Sequence, residues 1–270
     1  MTNGTTSGAA TADRTADDTP AARVVDLTKD FSGGVRAMDG ITFDIPRGEL
    51  TSIIGPSGCG KTTTLKIIAG LVEATSGRVE VNGVPVTGPG PDRAFVFQDF
   101  ALMPWATVLR NAAFGLELRG VPRKEREEIA KEYVGKVGLA RFENSYPHQL
   151  SGGMRQRVGL ARALAVDADI LLMDEPFASV DEQIRRRFQE DLLRLLSDEK
   201  KTVLFVTHSI EEAVYVSDQV VILTRGPSRV SKVVRPGVDR SGGSDSIRRS
   251  PEYLDWVEQI WSELQSYLET

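Results

Sequence analysis

The chain has 270 residues, with 33 lysines and arginines against 38 aspartates and glutamates, a formal net charge of −5. This mildly acidic balance speaks against nucleic acid as a partner, and a single cysteine leaves no intrachain disulfide. The length allows one sizeable α/β core with an appended subdomain, and no stretch approaches the ~20 apolar residues of a membrane helix.

In chain order, residues 1–22 are rich in Thr, Ala, Asp, Gly and Ser. They lack a basic start followed by an apolar run, so they read as a disordered tail and not as a secretory signal. Residues 24–27, 41–45 and 79–81 read as short strands, with turns at 47–49 and 82–83, and predict a small antiparallel subdomain. Residues 51–54 read as a buried strand. The string Gly55-Pro56-Ser57-Gly58-Cys59-Gly60-Lys61-Thr62 follows it and opens a helix over 61–69. This is a phosphate-binding loop, the Walker A pattern. Its glycines let backbone N–H groups close on an anion, and the helix N-terminus directs its partial positive charge the same way. All eight residues are candidate nucleotide contacts. Lys61 is expected to reach the β- and γ-phosphates, Thr62 to ligate Mg²⁺, and Thr63 to add a phosphate contact. A small residue suffices at Cys59; redox sensing is the alternative for its thiol.

Residues 94–97 read as a strand ending at Gln98, and from about 100 to 150 the pattern turns helical. A helix over 123–137 places Ile129, Tyr133 and Val137 on one face and a solvated Lys/Glu run on the other. His148 has no evident chemistry and reads as structural. Leu150-Ser151-Gly152-Gly153-Met154-Arg155-Gln156 is a second glycine turn, opening a helix over 154–166. Ile170-Leu171-Leu172-Met173 is a continuous apolar run, the mark of a central parallel strand covered on both faces. Asp174 and Glu175 follow it directly. In an open α/β sheet the ligand lies at the carboxyl ends of the strands, so both acids are expected to face the nucleotide. Asp174 suits the Mg²⁺ shell through water, and Glu175 suits a general base that orients the attacking water. Helices over 182–199 and 210–217 alternate with core strands and predict a parallel sheet. Residues 203–206 form one such strand, followed by Thr207 and His208. A Gly/Ser/Pro/Arg-rich connector over 225–249 holds one short strand, Val230–Val234. Pro251 then opens a final amphipathic helix with Leu254, Val257, Ile260, Trp261, Leu264 and Leu268 on its apolar face. This helix is expected to pack on its own core, with a dimer contact as the alternative.

Taken together, the phosphate loop, the Ser151 glycine motif and the acidic strand end resemble the ATP-binding cassette (ABC) family, in order from residue 24 to 234. The resemblance implies a P-loop NTPase (RecA-like) α/β fold spanning 23–250. Its parallel sheet core would carry an antiparallel β subdomain and an inserted helical subdomain over about 100–150, ahead of the C-terminal helix in 251–270. It places Phe31 where an aromatic stacks on adenine, although Tyr is more usual there. It matches Gln98 to the glutamine that links Mg²⁺ to the transport-facing loop. Ser151, Gly152 and Gly153 match residues that bind the γ-phosphate of ATP held by the other subunit. Residues 178–181 match the dimer-contact loop, and His208 the histidine that holds the γ-phosphate and the catalytic glutamate. Met154 and Val180 stand where Gln and Leu are common, and neither change removes a needed chemical group.

The resemblance implies ATP and Mg²⁺ as cofactors and a homodimer that sandwiches ATP. It also implies peripheral attachment at the cytoplasmic face of the membrane, on integral permease subunits, with a periplasmic or lipid-anchored solute-binding protein as an indirect partner. Residues 88–93 and 102–108 are similar to those of the nitrate, taurine and aliphatic-sulfonate branch, which suggests a small oxyanion or sulfonate cargo. Leu102-Met103-Pro104-Trp105 would then dock the permease, or else fill the helical subdomain's own core. The competing classes are a GTPase or kinase, and a non-transport cassette ATPase. The chain has no Asn-Lys-x-Asp base reader, no long coiled coil between halves and only one cassette.

Overall fold

The computed structural model describes residues 19–178, 182–240 and 242–267. Six strands build the central sheet: β3 (Leu50–Ile54), β6 (Arg93–Val96), β7 (Ile170–Asp174), β8 (Thr202–Val206), β9 (Gln219–Leu223) and β10 (Val230–Val234). Their order is β10-β9-β3-β8-β7-β6, and all pairs are parallel except the edge pair β10–β9. Every residue of β3, β7, β8 and β9 is buried, which explains their unbroken apolar runs. Alternate side chains then serve two cores. Ile53, Leu172, Leu204 and Val221 face one core, while Ile54, Leu171, Phe205 and Val220 face the other.

The first core lies between this sheet and a second, antiparallel one. That sheet has the order β2-β1-β4-β5, from β1 (Ala22–Phe31), β2 (Val35–Ile45), β4 (Ser76–Val81) and β5 (Val84–Pro85). Helix α1 (Lys61–Ile68) fills the gap, burying Leu65, Ile67 and Ile68 against Val24, Ile41 and Val79. The strand at β1 begins earlier than the sequence suggests. Ala21 and Ala22 are fully buried, and Ala21 N–H bonds Ile45 O at 2.9 Å, so the expected tail to residue 22 overruns a strand. Two small alanines carry too little hydrophobic signal to mark that start.

The second core packs α2 (Val108–Leu118), α3 (Arg123–Lys136) and α4 (Gly152–Ala165) against the opposite sheet face. Tyr133 and Val137 are buried there with Ala130 and Val134. Further on come α5 (Glu182–Asp198), α6 (Ile210–Val216), the short α7 (Ser244–Ile247) and α8 (Pro251–Gln265). Helix α8 packs on α6, within the chain's own core. Its buried stripe differs from the expected one. Tyr253 and Ile260 are buried, with Trp256, Val257 and Leu264 packed beside them, whereas Leu254 and Trp261 are each 52% exposed. The tyrosine hydroxyl rotates the helix: it donates to Glu211 O at 3.2 Å. Leu268 lies outside the described residues.

Candidate active site

The carboxyl ends of β3, β8 and β7 lie side by side, pairing Ile53 with Val206 and Val206 with Asp174. The chain leaves each end in a different functional string: the phosphate loop after β3, Thr207-His208 after β8 and Asp174-Glu175 at the end of β7. A cleft of about 440 Å³ opens above them. Phe31, Ser57, Gly58, Gly60, Lys61, Thr62, Thr63, Glu175 and His208 line it, so most of the sequence-predicted site converges.

Local sequence accounts for the loop geometry. Gly60 has φ +91° and caps α1 without a side-chain hydrogen bond, so the first-turn amides remain for a ligand. A Cβ at Gly55 would stand 2.8 Å from Leu223 O, which only glycine avoids. Lys61 folds back over the loop, donating to Gly55 O at 2.8 Å and Pro56 O at 3.2 Å. Cys59 is buried, and burial pushes its thiol up, against the lowering influence of Lys61. A buried, protonated thiol is a poor redox sensor. Pro56 completes the loop, its carbonyl receiving the Cys59 N–H at 3.3 Å.

The Thr62 hydroxyl donates to Asp174 Oδ1 at 2.9 Å. Asp174 is buried, and burial raises its carboxyl above the ordinary value, with Glu175 adding repulsion and the Thr62 hydrogen bond opposing it. Glu175 holds φ +45°, a left-handed conformation that is costly for a residue with a side chain. Its N–H bonds Val206 O at 3.0 Å, and His208 Nδ1 lies 3.2 Å from Glu175 Oε2. Phe31 is 45% exposed at the mouth of the cleft, with Lys29 Nζ 5.6 Å from its ring centroid.

Four predicted residues lie elsewhere. Gln98 is exposed in the turn after β6 and is not among the residues that line the cleft. Ser151, Gly152 and Gly153 form the start of α4, two residues earlier than the expected helix. The Ser151 hydroxyl caps that helix by accepting the Met154 N–H at 3.3 Å, which leaves its own proton for an anion. None of the three lines this cleft. Of the dimer-contact loop, residues 179–181 fall outside the described residues.

Sequence reasoning missed the support behind His208. Thr207 Oγ1 donates to the buried Glu212 at 2.5 Å and accepts the Ser209 N–H at 3.0 Å, so both neighbours of His208 are tethered. Arg185 on α5 pairs with the other Glu212 oxygen at 3.9 Å. The Ser209-x-x-Glu212 spacing, a helix-start signature, was the available signal.

The sequence profile of the ABC transporter family matches residues 38–178. The chain belongs to that family. An uncharacterised ABC transporter ATP-binding protein of Methanocaldococcus jannaschii is 52% identical over 241 residues, covering 88% of this chain and 89% of the relative. The taurine import ATP-binding protein TauB of Chromobacterium violaceum is 46% identical over 232 residues, covering 84% and 89%. Among solved structures, a dimeric bacterial ABC transporter cassette superposes with a TM-score of 0.71 at 33% identity, over 79% of this chain and 98% of that one. A post-hydrolysis dimer of the same cassette, bound to ADP and Pi, gives a TM-score of 0.70 at 32% identity. The protein is thus an ABC ATPase with the α/β P-loop fold. No helix among the described residues is long and apolar enough to cross a membrane.

Proposed function

We propose that this cassette hydrolyses ATP to drive a membrane importer, with a sulfonate such as taurine, or a similar small oxyanion, as cargo. The carrying observation is the convergence of Lys61, Thr62, Glu175 and His208 in one cleft. Phe31 offers the adenine a stacking face, and the free amides of the phosphate loop and of the first turn of α1, with Lys61 and Thr63, hold the phosphates. Glu175 takes a proton from the water that attacks the γ-phosphorus as the bond to the bridging oxygen breaks. His208 orients that carboxylate and contacts the γ-phosphate.

Thr62 and Asp174 fit Mg²⁺. They present two hard oxygens side by side, and a buried carboxylate with a raised value favours a cation beside it. Among the described residues there is no cluster of three or more metal-ligating side chains, which suits an ion completed by phosphates and water. When bound, Mg²⁺ neutralises charge developing on the phosphate oxygens. Gln98 would join its shell only after the turn beyond β6 moves toward the cleft.

Ser151, Gly152 and Gly153 lie outside the cleft of their own subunit, which supports the reading that they cap ATP held by a second copy. The dimeric relatives among solved structures support it too. The importer assignment rests on relatives named for taurine import, and it implies permease subunits, a solute-binding protein and attachment at the cytoplasmic face.

Glu175→Gln tests the chemistry: hydrolysis is expected to fall by ~10²–10⁴ while ATP binding survives and an ATP-bound dimer accumulates. Wild-type turnover would reject the base. The cargo is tested by uptake of taurine, other sulfonates and nitrate in a strain lacking this gene. Restoration of none of them by the wild-type gene would reject the cargo class.

A further inference from the structure

The segment after Gln98 is held in an unusual way. Phe100 and Ala101 are consecutive non-glycine residues with positive φ, +64° and +43°. Such conformations persist only where neighbours over-determine them. Here the neighbour is Arg162, on α4. Its guanidinium donates to Ala101 O at 2.6 Å and to Phe100 O at 2.8 Å. Burial lowers its pKa, and among the described residues no carboxylate pairs with it. The half-buried guanidinium thus serves two backbone carbonyls of one strained turn.

The same helix face makes two more contacts, at the positions that i, i+4, i+7 spacing aligns. Arg155 stands 5.6 Å from the Phe100 ring centroid and donates to Leu150 O at 2.6 Å, just before Ser151. At Gly159 an added Cβ would meet Phe100 O at 3.7 Å, so the loop lies directly on the helix. On its far side, Asn111 of α2 accepts the Met103 N–H and donates to the carbonyls of Met103, Ala106 and Thr107.

We propose that Arg162 is a positioning residue that locks the backbone after Gln98 onto the helix carrying Ser151–Gly153, so that both move as one body when ATP closes the dimer. The planar arginine fork aims two fixed N–H donors at the adjacent carbonyls, a geometry that a flexible lysine holds less firmly. Ser151 and Arg162 are eleven residues apart on one helix, roughly 16 Å of rigid rod. The phosphate loop belongs to β3 and α1 and takes no part in this link. The inference rests on the roles proposed above for Gln98 and Ser151.

The test uses the full-length cassette with Arg162→Lys, the double variant Arg162→Lys/Ala101→Gly and, as control, Ser151→Arg. Nucleotide affinity of the monomer, kcat per folded molecule and ATP-driven dimerisation are measured beside thermal stability. Arg162→Lys is expected to keep monomer affinity and to lose ~10-fold or more in kcat through misplacement of the loop. Dimerisation should weaken with it. Ala101→Gly should restore much of that loss, because glycine adopts the left-handed conformation without strain and lysine still holds one carbonyl. The proposal is overturned if kcat per folded molecule is unchanged, if the loss follows monomer affinity or unfolding, or if glycine restores nothing. Full activity of Ser151→Arg would instead overturn the composite site, whatever Arg162 does.

Discussion

In the Mg²⁺ reading proposed above, Asp174 is the acidic ligand. Its carboxyl is buried beside Glu175 and held by the Thr62 hydroxyl, and its pKa is raised above the ordinary 3.8. A raised folded value means that the fold binds the proton more tightly than the unfolded chain does. The neutral carboxyl therefore costs nothing below the ordinary value, and ionisation costs stability as pH rises through the folded value. At neutral pH the nucleotide-free cassette carries that penalty. Asp174→Asn keeps an acceptor for Thr62 and removes the charge. It should stabilise the nucleotide-free protein by about 0.5–2 kcal/mol while sharply lowering Mg²⁺-dependent hydrolysis. Thermal scans from neutral pH down toward the ordinary carboxylate range check the sign: the advantage over wild type should shrink as pH falls. An advantage that grows on acidification would contradict the burial argument.

Among elements, α8 shows how a buried polar group can override a hydrophobic pattern. Ser250 caps the helix by accepting the Tyr253 N–H at 3.2 Å, and Pro251 suits its first turn. Tyr253 then enters the core, its hydroxyl near both Glu211 O and Arg248 Nη1. Arg248 in turn lies 4.2 Å from the Tyr215 ring on α6. Because α6 begins two residues after His208, α8 buttresses the element that carries the histidine loop. Tyr253→Ala should destabilise the protein by roughly 3–5 kcal/mol, and Tyr253→Phe by about 1 kcal/mol, read by denaturant unfolding. A negligible loss in Tyr253→Ala would show that the helix is peripheral. The helix itself was legible from Pro251 and its apolar spacing, but its rotation was not, because Leu254 and Trp261 outscore a tyrosine whose value lies in one long-range hydrogen bond. The phosphate loop and the acidic strand end were legible for the opposite reason: their chemistry is local, set by glycine conformations and strand ends. The Glu212 tether and the Arg162 clamp span separate elements, and no spacing rule encodes such pairs.

At the scale of the whole molecule, the segment 102–105 bears on the importer reading. Leu102 packs against the core beside α2 and α4, and Asn111 fixes the backbone from Met103 to Thr107. Trp105, by contrast, is 74% exposed. The core-filling alternative for this tryptophan therefore fails, since a side chain left mostly in water cannot be holding the subdomain together. What remains is a rigidly mounted, amphipathic aromatic on a surface loop, the residue type most enriched among interface anchors. The mounting matters, because a pre-organised anchor loses little conformational freedom when a partner covers it. In the importer reading, the occupant is the cytoplasmic surface of the permease. Trp105→Ala should then leave the isolated subunit within about 0.5 kcal/mol of wild-type stability, as surface substitutions usually do. Its basal ATPase activity should persist. Assembly with the permease should weaken by ~2 kcal/mol or more, the loss typical of an anchor truncation, and uptake should fall with it. Thermal denaturation of the purified variant beside a co-purification and uptake assay separates the outcomes: normal folding with normal assembly removes Trp105 from the docking surface, whereas normal folding with lost assembly places it there.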